Sequence, residues 1–142
     1  MSAPRTASWL STVVHLKCNR CRVGALFPSA TMSFQRPFEM YTHCPACGLN
    51  YWPEPGFYYG AMFLSYILFC FPFLGLVLVL HWVVGWSLAS SMLALCLVAA
   101  LTFVYVFRVA RAAWLGMNAK YDADLSERVL AGEVTVAAPA TR

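Results

Sequence analysis

The residues with the clearest chemical meaning are four cysteines arranged as two Cys-x-x-Cys pairs. The first pair is Cys18 and Cys21, and the second pair, Cys44 and Cys47, follows after 22 intervening residues. A Cys-x-x-Cys turn brings two thiolates to one side of a tight loop, and two such loops complete the tetrahedron that zinc prefers. The spacing therefore predicts one structural zinc ion per chain, held by these four cysteines.

Two glycines and two histidines lie close to these pairs. Gly48 directly follows the second pair and suits the left-handed backbone of such a knuckle, whereas Gly24, three positions after Cys21, is a weaker match. His15 and His43 could each replace a thiolate, but four cysteines already fill a tetrahedral site. Because a filled site has no open position for water or substrate, the pattern favours a structural role over catalysis.

The same cysteines allow a second interpretation, as two disulfides or a redox-active dithiol. A reducing cytoplasm disfavours stable disulfides, and no thioredoxin-like βαβ pattern surrounds either pair. Cys70 and Cys96, with Met62 and Met92 nearby, lie in an apolar stretch and lack the spacing of a soft-metal path. Structural zinc is our first interpretation, and thiol redox or metal transfer is the alternative.

The elements that position the cysteines are organised around a stretch without charge. No Asp, Glu, Lys or Arg occurs from Pro55 to Phe107. One helix needs roughly 20 apolar residues to cross the hydrocarbon, and a central charge costs about 2.5 to 3.5 kcal/mol, so the stretch suffices for two spans. We predict a transmembrane hairpin: a first helix over 57–82, an external turn over 83–86, and a second helix over 87–107 that extends to about residue 118.

The first span carries two further signals. Pro72 removes a backbone donor and clashes with the carbonyl of Leu68, which predicts a kink. Gly56 and Gly60 form a small-xxx-small step that allows either close helix approach at the entry to the span or dimerisation. Nothing else in the sequence indicates a homo-oligomer.

The flanking segments are too short to fold on a large core of their own. We predict a disordered N-terminus over 1–14, a zinc ribbon with short β-strands over 15–52, a proline-rich connector over 53–56, and a short amphipathic helix with a disordered tail over 120–142. The strands are expected near 25–27 and 38–41. Zinc binding would supply the folding free energy that burial cannot. The predicted fold class is thus a membrane protein with a small N-terminal zinc ribbon followed by an α-helical two-span hairpin.

Charge indicates the orientation and limits the partners. Basic residues flank the open ends of the hairpin, and its turn carries none; they are Arg36, Arg108, Arg111 and Lys120. The positive-inside rule predicts both termini in the cytoplasm and Gly85 outside. We expect Arg108 and Arg111, three residues apart, to snorkel to lipid phosphates. A net charge of +4 without a basic run does not indicate nucleic-acid binding.

No constellation of polar side chains indicates an enzyme. The sequence has no catalytic triad, phosphate-binding loop or paired carboxylates, so we predict no catalytic residue and no organic cofactor. Solvation or apolar burial is a sufficient explanation for four other polar or reactive residues, which are Glu54, His81, Cys70 and Cys96. With 61% hydrophobic and 11% charged residues, the composition excludes an ordinary soluble domain.

The order of these parts resembles a known family. The two cysteine pairs, the segment Glu54-Pro55-Gly56-Phe57-Tyr58-Tyr59-Gly60-Ala61-Met62 and two spans follow one another as in the bacterial "domain of unknown function 983" proteins. The resemblance covers roughly Leu16 to Asp122. It implies a small bacterial inner-membrane protein whose four cysteines match the family's pairs, with no agreed catalytic residues. Some members lie beside cytochrome oxidase assembly genes, so the resemblance also implies a role in biogenesis.

These observations predict a zinc-ribbon protein anchored in the bacterial inner membrane. Its expected role is that of a small interaction or assembly factor for a membrane complex, which includes the respiratory complexes. The expected partners are the lipid bilayer and an unidentified membrane protein, without nucleic acid.

Overall fold

The structure is a computed structural model of the 142-residue chain, and it describes residues 8–31, 33–134, 136 and 140–141. Four α-helices occur in these residues: α1 (Trp9–Val14), α2 (Tyr59–Leu78), α3 (Leu88–Asn118) and α4 (Ala123–Leu130). A π-helical turn, Val79–Val83, continues α2.

Helices α2 and α3 form the predicted hairpin, and both are long and apolar enough to cross a membrane. Their outward side chains are exposed, with Phe63 at 71% and Phe71 at 72% of their full accessible surface. A helix in the core of a soluble protein buries most of its apolar side chains, so this exposed surface fits lipid better than water. The prediction of two long apolar helices is confirmed.

The connection between α2 and α3 is a tight turn with defined backbone bonds. The Val84 N–H donates to the Val79 carbonyl at 3.2 Å. The two residues are five apart in the chain, as in a π-helix, instead of four apart as in an α-helix. Gly85 has φ of 77°, a left-handed conformation that glycine adopts without strain. The Ser87 hydroxyl then accepts from the Ser90 N–H at 3.2 Å and caps the start of α3.

Pro72 lies inside α2, and the helix continues on both sides of it to Leu78. The kink that the sequence predicts at this residue stays a prediction.

The cysteine-bearing segment contains isolated bridges instead of β-strands, among the residues that the structure describes. The bridges join Lys17 to Ala25, His43 to Asn50, and Tyr41 to Thr141. The strands predicted near 25–27 and 38–41 are therefore not confirmed. The chain turns sharply at each of the two cysteine pairs. Few consecutive residues are therefore extended enough to form the hydrogen-bond ladder of a β-sheet.

The residues before the first cysteine form a helix where the sequence predicts disorder. Thr12 and Val13 of α1 are buried, and α1 packs against α3. The Tyr105 hydroxyl donates to the Val14 carbonyl at 3.4 Å. A helix of this length is unstable alone, so tertiary packing overrides its weak sequence signal. Residues 1–7 of the predicted disordered segment lie outside the described residues.

The C-terminal segment also contacts the ribbon region. Asp122 caps α4 by accepting from the Leu125 N–H at 3.1 Å, and Gly132, with φ of 78°, follows its end. The Ala140 carbonyl accepts from the Thr42 N–H at 2.8 Å. Ala140 and Thr141 of the predicted disordered tail thus pair with the ribbon, and residues 135, 137–139 and 142 lie outside the described chain.

Arg108 fixes the ribbon to α3 and does not snorkel to lipid, contrary to the expectation from sequence. Its side chain is fully buried. Its Nε donates to the Pro37 carbonyl at 3.2 Å, and its two terminal nitrogens donate to Ser29, Ala30 and Arg36 at 2.6 to 3.3 Å. All these acceptors are carbonyl or hydroxyl oxygens. The oxygens of residues 29–30 and 36–37 therefore take the place of the water that would solvate a snorkelling side chain.

Candidate metal centre

The Sγ atoms of the four predicted ligands lie within 4.8 Å of one another. The Sγ atoms of Cys18 and Cys47 are 3.9 Å apart, and those of Cys21 and Cys44 are 3.8 Å apart. A tetrahedron with metal–sulfur bonds of about 2.3 Å has sulfur–sulfur edges of about 3.8 Å. The arrangement therefore fits one tetrahedral metal ion.

The two knuckles use matching backbone hydrogen bonds. The Arg22 N–H donates to the Cys18 carbonyl at 2.7 Å, and the Gly48 N–H donates to the Cys44 carbonyl at 2.9 Å. Both donors are left-handed, with φ of 58° for Arg22 and 73° for Gly48. This conformation costs a non-glycine residue about 1 to 2 kcal/mol. The Arg22 guanidinium lies 3.7 Å from the Tyr121 ring centroid, a cation–π contact that offsets part of this cost.

Gly24 allows the two knuckles to approach closely. A Cβ atom at this position would overlap the Sγ of Cys44 and lie 3.1 Å from the Cβ of Ala46. The Gly24 carbonyl accepts from the Cys18 N–H at 2.7 Å. From the sequence, Gly24 is a weak match for the left-handed residue of a knuckle. In the structure, Gly24 matters because it has no side chain that would overlap the Sγ of Cys44.

Burial raises the pKa of all four thiols, whereas their mutual hydrogen bonds shift individual thiols in opposite directions. Hydrogen bonds with Cys18 and Cys21 lower the pKa of Cys44 well below its usual range, and bonds with the same two residues raise the pKa of Cys47. Four thiolates at these distances would repel one another strongly. A bound dication removes this repulsion and deprotonates its thiol ligands. The donor set therefore fits a metal ion such as zinc.

Tyr51 forms part of the wall of the cluster and stays neutral. Burial raises the pKa of Tyr51, and negative charge on Cys18 and Cys44 raises it further. Its hydroxyl donates to the Ala25 carbonyl at 3.3 Å, so the ring is fixed in place. Apart from its aromatic character, nothing in the sequence indicates this role for Tyr51.

Helices α3 and α4 hold the first knuckle from outside. The Asn19 amide donates to the Ala112 carbonyl of α3 at 3.0 Å, and the Ser126 hydroxyl of α4 donates to the Cys21 carbonyl at 2.9 Å. The ribbon is thus attached to the end of the hairpin by direct hydrogen bonds.

The other candidate ligands lie outside the cluster. Among the residues that the structure describes, the group able to hold a metal consists of the four cysteines alone. The His43 Nδ1 lies 3.1 Å from the Thr42 hydroxyl. Cys70 and Cys96 are exposed on the long helices. The structure therefore brings together the four predicted ligands without a histidine.

Comparison with known proteins gives a family and no individual relative. Residues 34–118 match the family model described as "Protein of unknown function (DUF983)". The match covers more than half of the chain, including the second cysteine pair and both long helices, and it confirms the resemblance. It begins after Cys18 and Cys21. No curated protein and no solved structure matches the chain.

Proposed function

The chain belongs to the DUF983 family, and from its cysteine cluster and its long apolar helices we propose that it is a zinc-ribbon protein anchored in the bacterial inner membrane. Its termini lie in the cytoplasm, as the basic residues around the open ends of the hairpin indicate. It acts as a small interaction or assembly factor for a membrane complex, with respiratory complexes as the first class to examine.

One observation carries this proposal: a closed set of four thiols lies in a ribbon that is attached directly to a membrane-type helix. Thiolates at tetrahedral separation favour zinc among the metals available in a cell. A fully coordinated ion has no free coordination position for a substrate, so its role is to stabilise the conformation of the ribbon. Because Arg108 and Asn19 attach the ribbon to α3, that shape is presented at a fixed place beside the bilayer.

A partner search tests the assembly role. The tagged full-length protein is extracted from native membranes under mild conditions, in parallel with a Cys44→Ser variant and a Cys70→Ser control. We expect a defined membrane protein to co-purify with the wild type and the control, and to be lost from Cys44→Ser. Identical recovery from all three would contradict a role for the ribbon in the interaction.

A specific observation favours the alternative of thiol redox or metal transfer. Cys18, Cys21 and Cys44 are buried, whereas Cys47 is partly exposed and accessible to a reacting thiol. Zinc content and thiol trapping in fresh lysates separate the two functions. A structural site retains about one zinc with four protected thiols, whereas a redox or transfer site exchanges its metal or cycles through disulfides.

A further inference from the structure

Arg111 lies three residues after Arg108 and has an aromatic environment. Its guanidinium carbon is 4.4 Å from the ring centroid of Phe107, 4.9 Å from that of Tyr58 and 5.5 Å from that of Trp52. Ring faces stabilise the positive charge, but they provide no oxygen acceptors for the five N–H groups of a guanidinium.

No anionic partner for Arg111 occurs in the described part of the chain. Ion pairs there join Arg20 to Asp122, Arg36 to Glu39, and Arg128 to Glu133. Arg108 donates five hydrogen bonds, whereas none from Arg111 reaches a described residue. Its N–H groups are therefore available to an anion from outside the chain.

A pocket of about 280 Å³ opens beside this guanidinium. Apart from Arg111, its walls are mainly aromatic and aliphatic; they include Phe57, Ala61, Met62, Ser65, Phe107 and Ala110. The volume is near the lower limit of about 300 Å³ for ligand pockets. The pocket therefore suits part of one acyl chain better than a whole lipid.

The depth of Arg111 matches the headgroup layer. At 1.5 Å per residue, Arg111 is about 35 Å along α3 from Leu88, while the hydrocarbon core is about 30 Å thick. With Leu88 at the outer boundary of the hydrocarbon, as the proposed hairpin implies, the guanidinium lies just beyond the inner boundary, where lipid phosphates occur, and the pocket walls extend towards the acyl region.

We propose that this pocket binds one anionic phospholipid, with the phosphate on the Arg111 guanidinium and the first part of an acyl chain against the apolar walls. Inorganic phosphate would leave those walls exposed to water, so a lipid satisfies both halves of the site. The inference rests on the membrane anchoring proposed above, and it is independent of the zinc and of the assembly role.

Native mass spectrometry of the full-length protein tests this. The wild type is reconstituted with equimolar phosphatidylglycerol and phosphatidylcholine of identical acyl chains, and the retained lipids are counted. We expect phosphatidylglycerol to be preferred by roughly tenfold, because both headgroups offer a phosphate but the choline cation of phosphatidylcholine repels the guanidinium. Arg111→Gln should abolish the preference, and Arg111→Lys should restore part of it. Ser65→Phe, which fills the pocket and keeps the charge, should also abolish it.

Lys120→Gln is the matched control, because it removes the same charge from an exposed residue at the same end of the hairpin. It should keep the wild-type preference. Equal retention of both lipids by the wild type, or the same loss in Lys120→Gln as in Arg111→Gln, would overturn the proposal. So would displacement of the lipid by inorganic phosphate alone, or an Arg111→Gln variant that loses a co-purifying polypeptide with its lipid preference unchanged.

Membrane recovery and zinc content are measured on every variant. A variant that reaches the membrane and holds its metal is folded, so loss of lipid preference is then specific to the pocket. Failure of the lipid result with normal zinc content leaves the ribbon function intact, and the two proposals fail independently.

Discussion

Arg108 shows how a buried charge can be stable without a carboxylate. Transfer of a guanidinium from water to a protein interior is costly unless its N–H groups find acceptors. Residues 29–30 and 36–37 supply these acceptors, and the Phe27 ring lies 4.8 Å from the guanidinium carbon. The charge is thus solvated by oriented dipoles of the ribbon, and the ribbon is fixed in return.

Arg108→Lys should loosen this part of the ribbon although it conserves the charge. A lysine has one nitrogen and cannot reach all the acceptors that lie around the edge of the guanidinium. We expect local destabilisation of about 2 to 3 kcal/mol, the scale of buried acceptors left without donors. Hydrogen exchange of the amides in 33–36 measures it. Arg128→Lys, at an exposed ion pair on α4, is the control, and equal exchange in both variants would contradict the assigned role.

Cys44→Ser should remove the metal. The loss of one thiolate opens the tetrahedron, so we expect about one zinc per wild-type chain and little in the variant, with faster hydrogen exchange across 18–52. Cys70→Ser and Cys96→Ser should keep the metal, because both residues lie outside the cluster. Metal-free wild type with disulfides Cys18–Cys21 and Cys44–Cys47 in thiol-trapped cells would replace the zinc interpretation by the redox one.

The spacing of the cysteines allowed the cluster to be predicted, whereas its surroundings were not predictable. A Cys-x-x-Cys pair is a local motif, so two pairs define a tetrahedral site without knowledge of the fold. Arg108 and Arg111 look identical in the sequence, three residues apart on one helix. Their difference depends on a loop more than 70 residues away, which no periodicity reveals.

At the scale of elements, α2 contains two glycines with opposite surroundings. A Cβ atom at Gly60 would overlap the indole ring of Trp114, whereas nothing lies within 4 Å of a Cβ at Gly75. Gly60 therefore allows α3 to pack its tryptophan directly against the backbone of α2. Gly60 thus allows the close helix approach that the sequence permits at this step, while dimerisation stays a prediction.

Gly60→Ala should therefore destabilise the hairpin, and Gly75→Ala should not. The added methyl group displaces the packed indole, which costs about 1 to 3 kcal/mol. At Gly75 the same change meets open space and lowers only the flexibility of the helix, so its effect is neutral or slightly stabilising. Thermal unfolding followed by circular dichroism in one micelle composition compares the two. Equal melting temperatures would mean that Trp114 is not held at this contact.

The elements differ in how far sequence alone determines them. The absence of charge from Pro55 to Phe107 predicted α2 and α3, because a bilayer selects helices through composition. Helix α1 has no such signal and exists because α3 covers Val13. The strands expected near 25–27 and 38–41 are not confirmed. A strand needs partners at several successive residues, whereas each bridge among the described residues of the ribbon joins a single pair.

For the whole molecule, the proposed two-span hairpin predicts both termini on one side of the membrane. A reporter fused before Met1 or after Arg142 should be cytoplasmic, and one inserted at Gly85 should be external, because basic residues flank only the open ends. Protease protection in spheroplasts and inverted vesicles measures this. Termini found on opposite sides would contradict the hairpin and leave one of the two long helices outside the bilayer.

Because α3 is one continuous helix, the position of the ribbon relative to the membrane depends on how much of α3 the bilayer covers. Its 31 residues form a rod of about 46 Å, of which the hydrocarbon can contain about 30 Å. The ribbon is attached to the remaining third and cannot slide along it. A thicker bilayer, which engulfs more of the rod or changes its tilt, must therefore draw the cysteine cluster towards the headgroups, and a thinner one must lift it away. If α3 spans the bilayer as proposed, we therefore predict that the local membrane thickness sets the distance between the ribbon and the membrane surface.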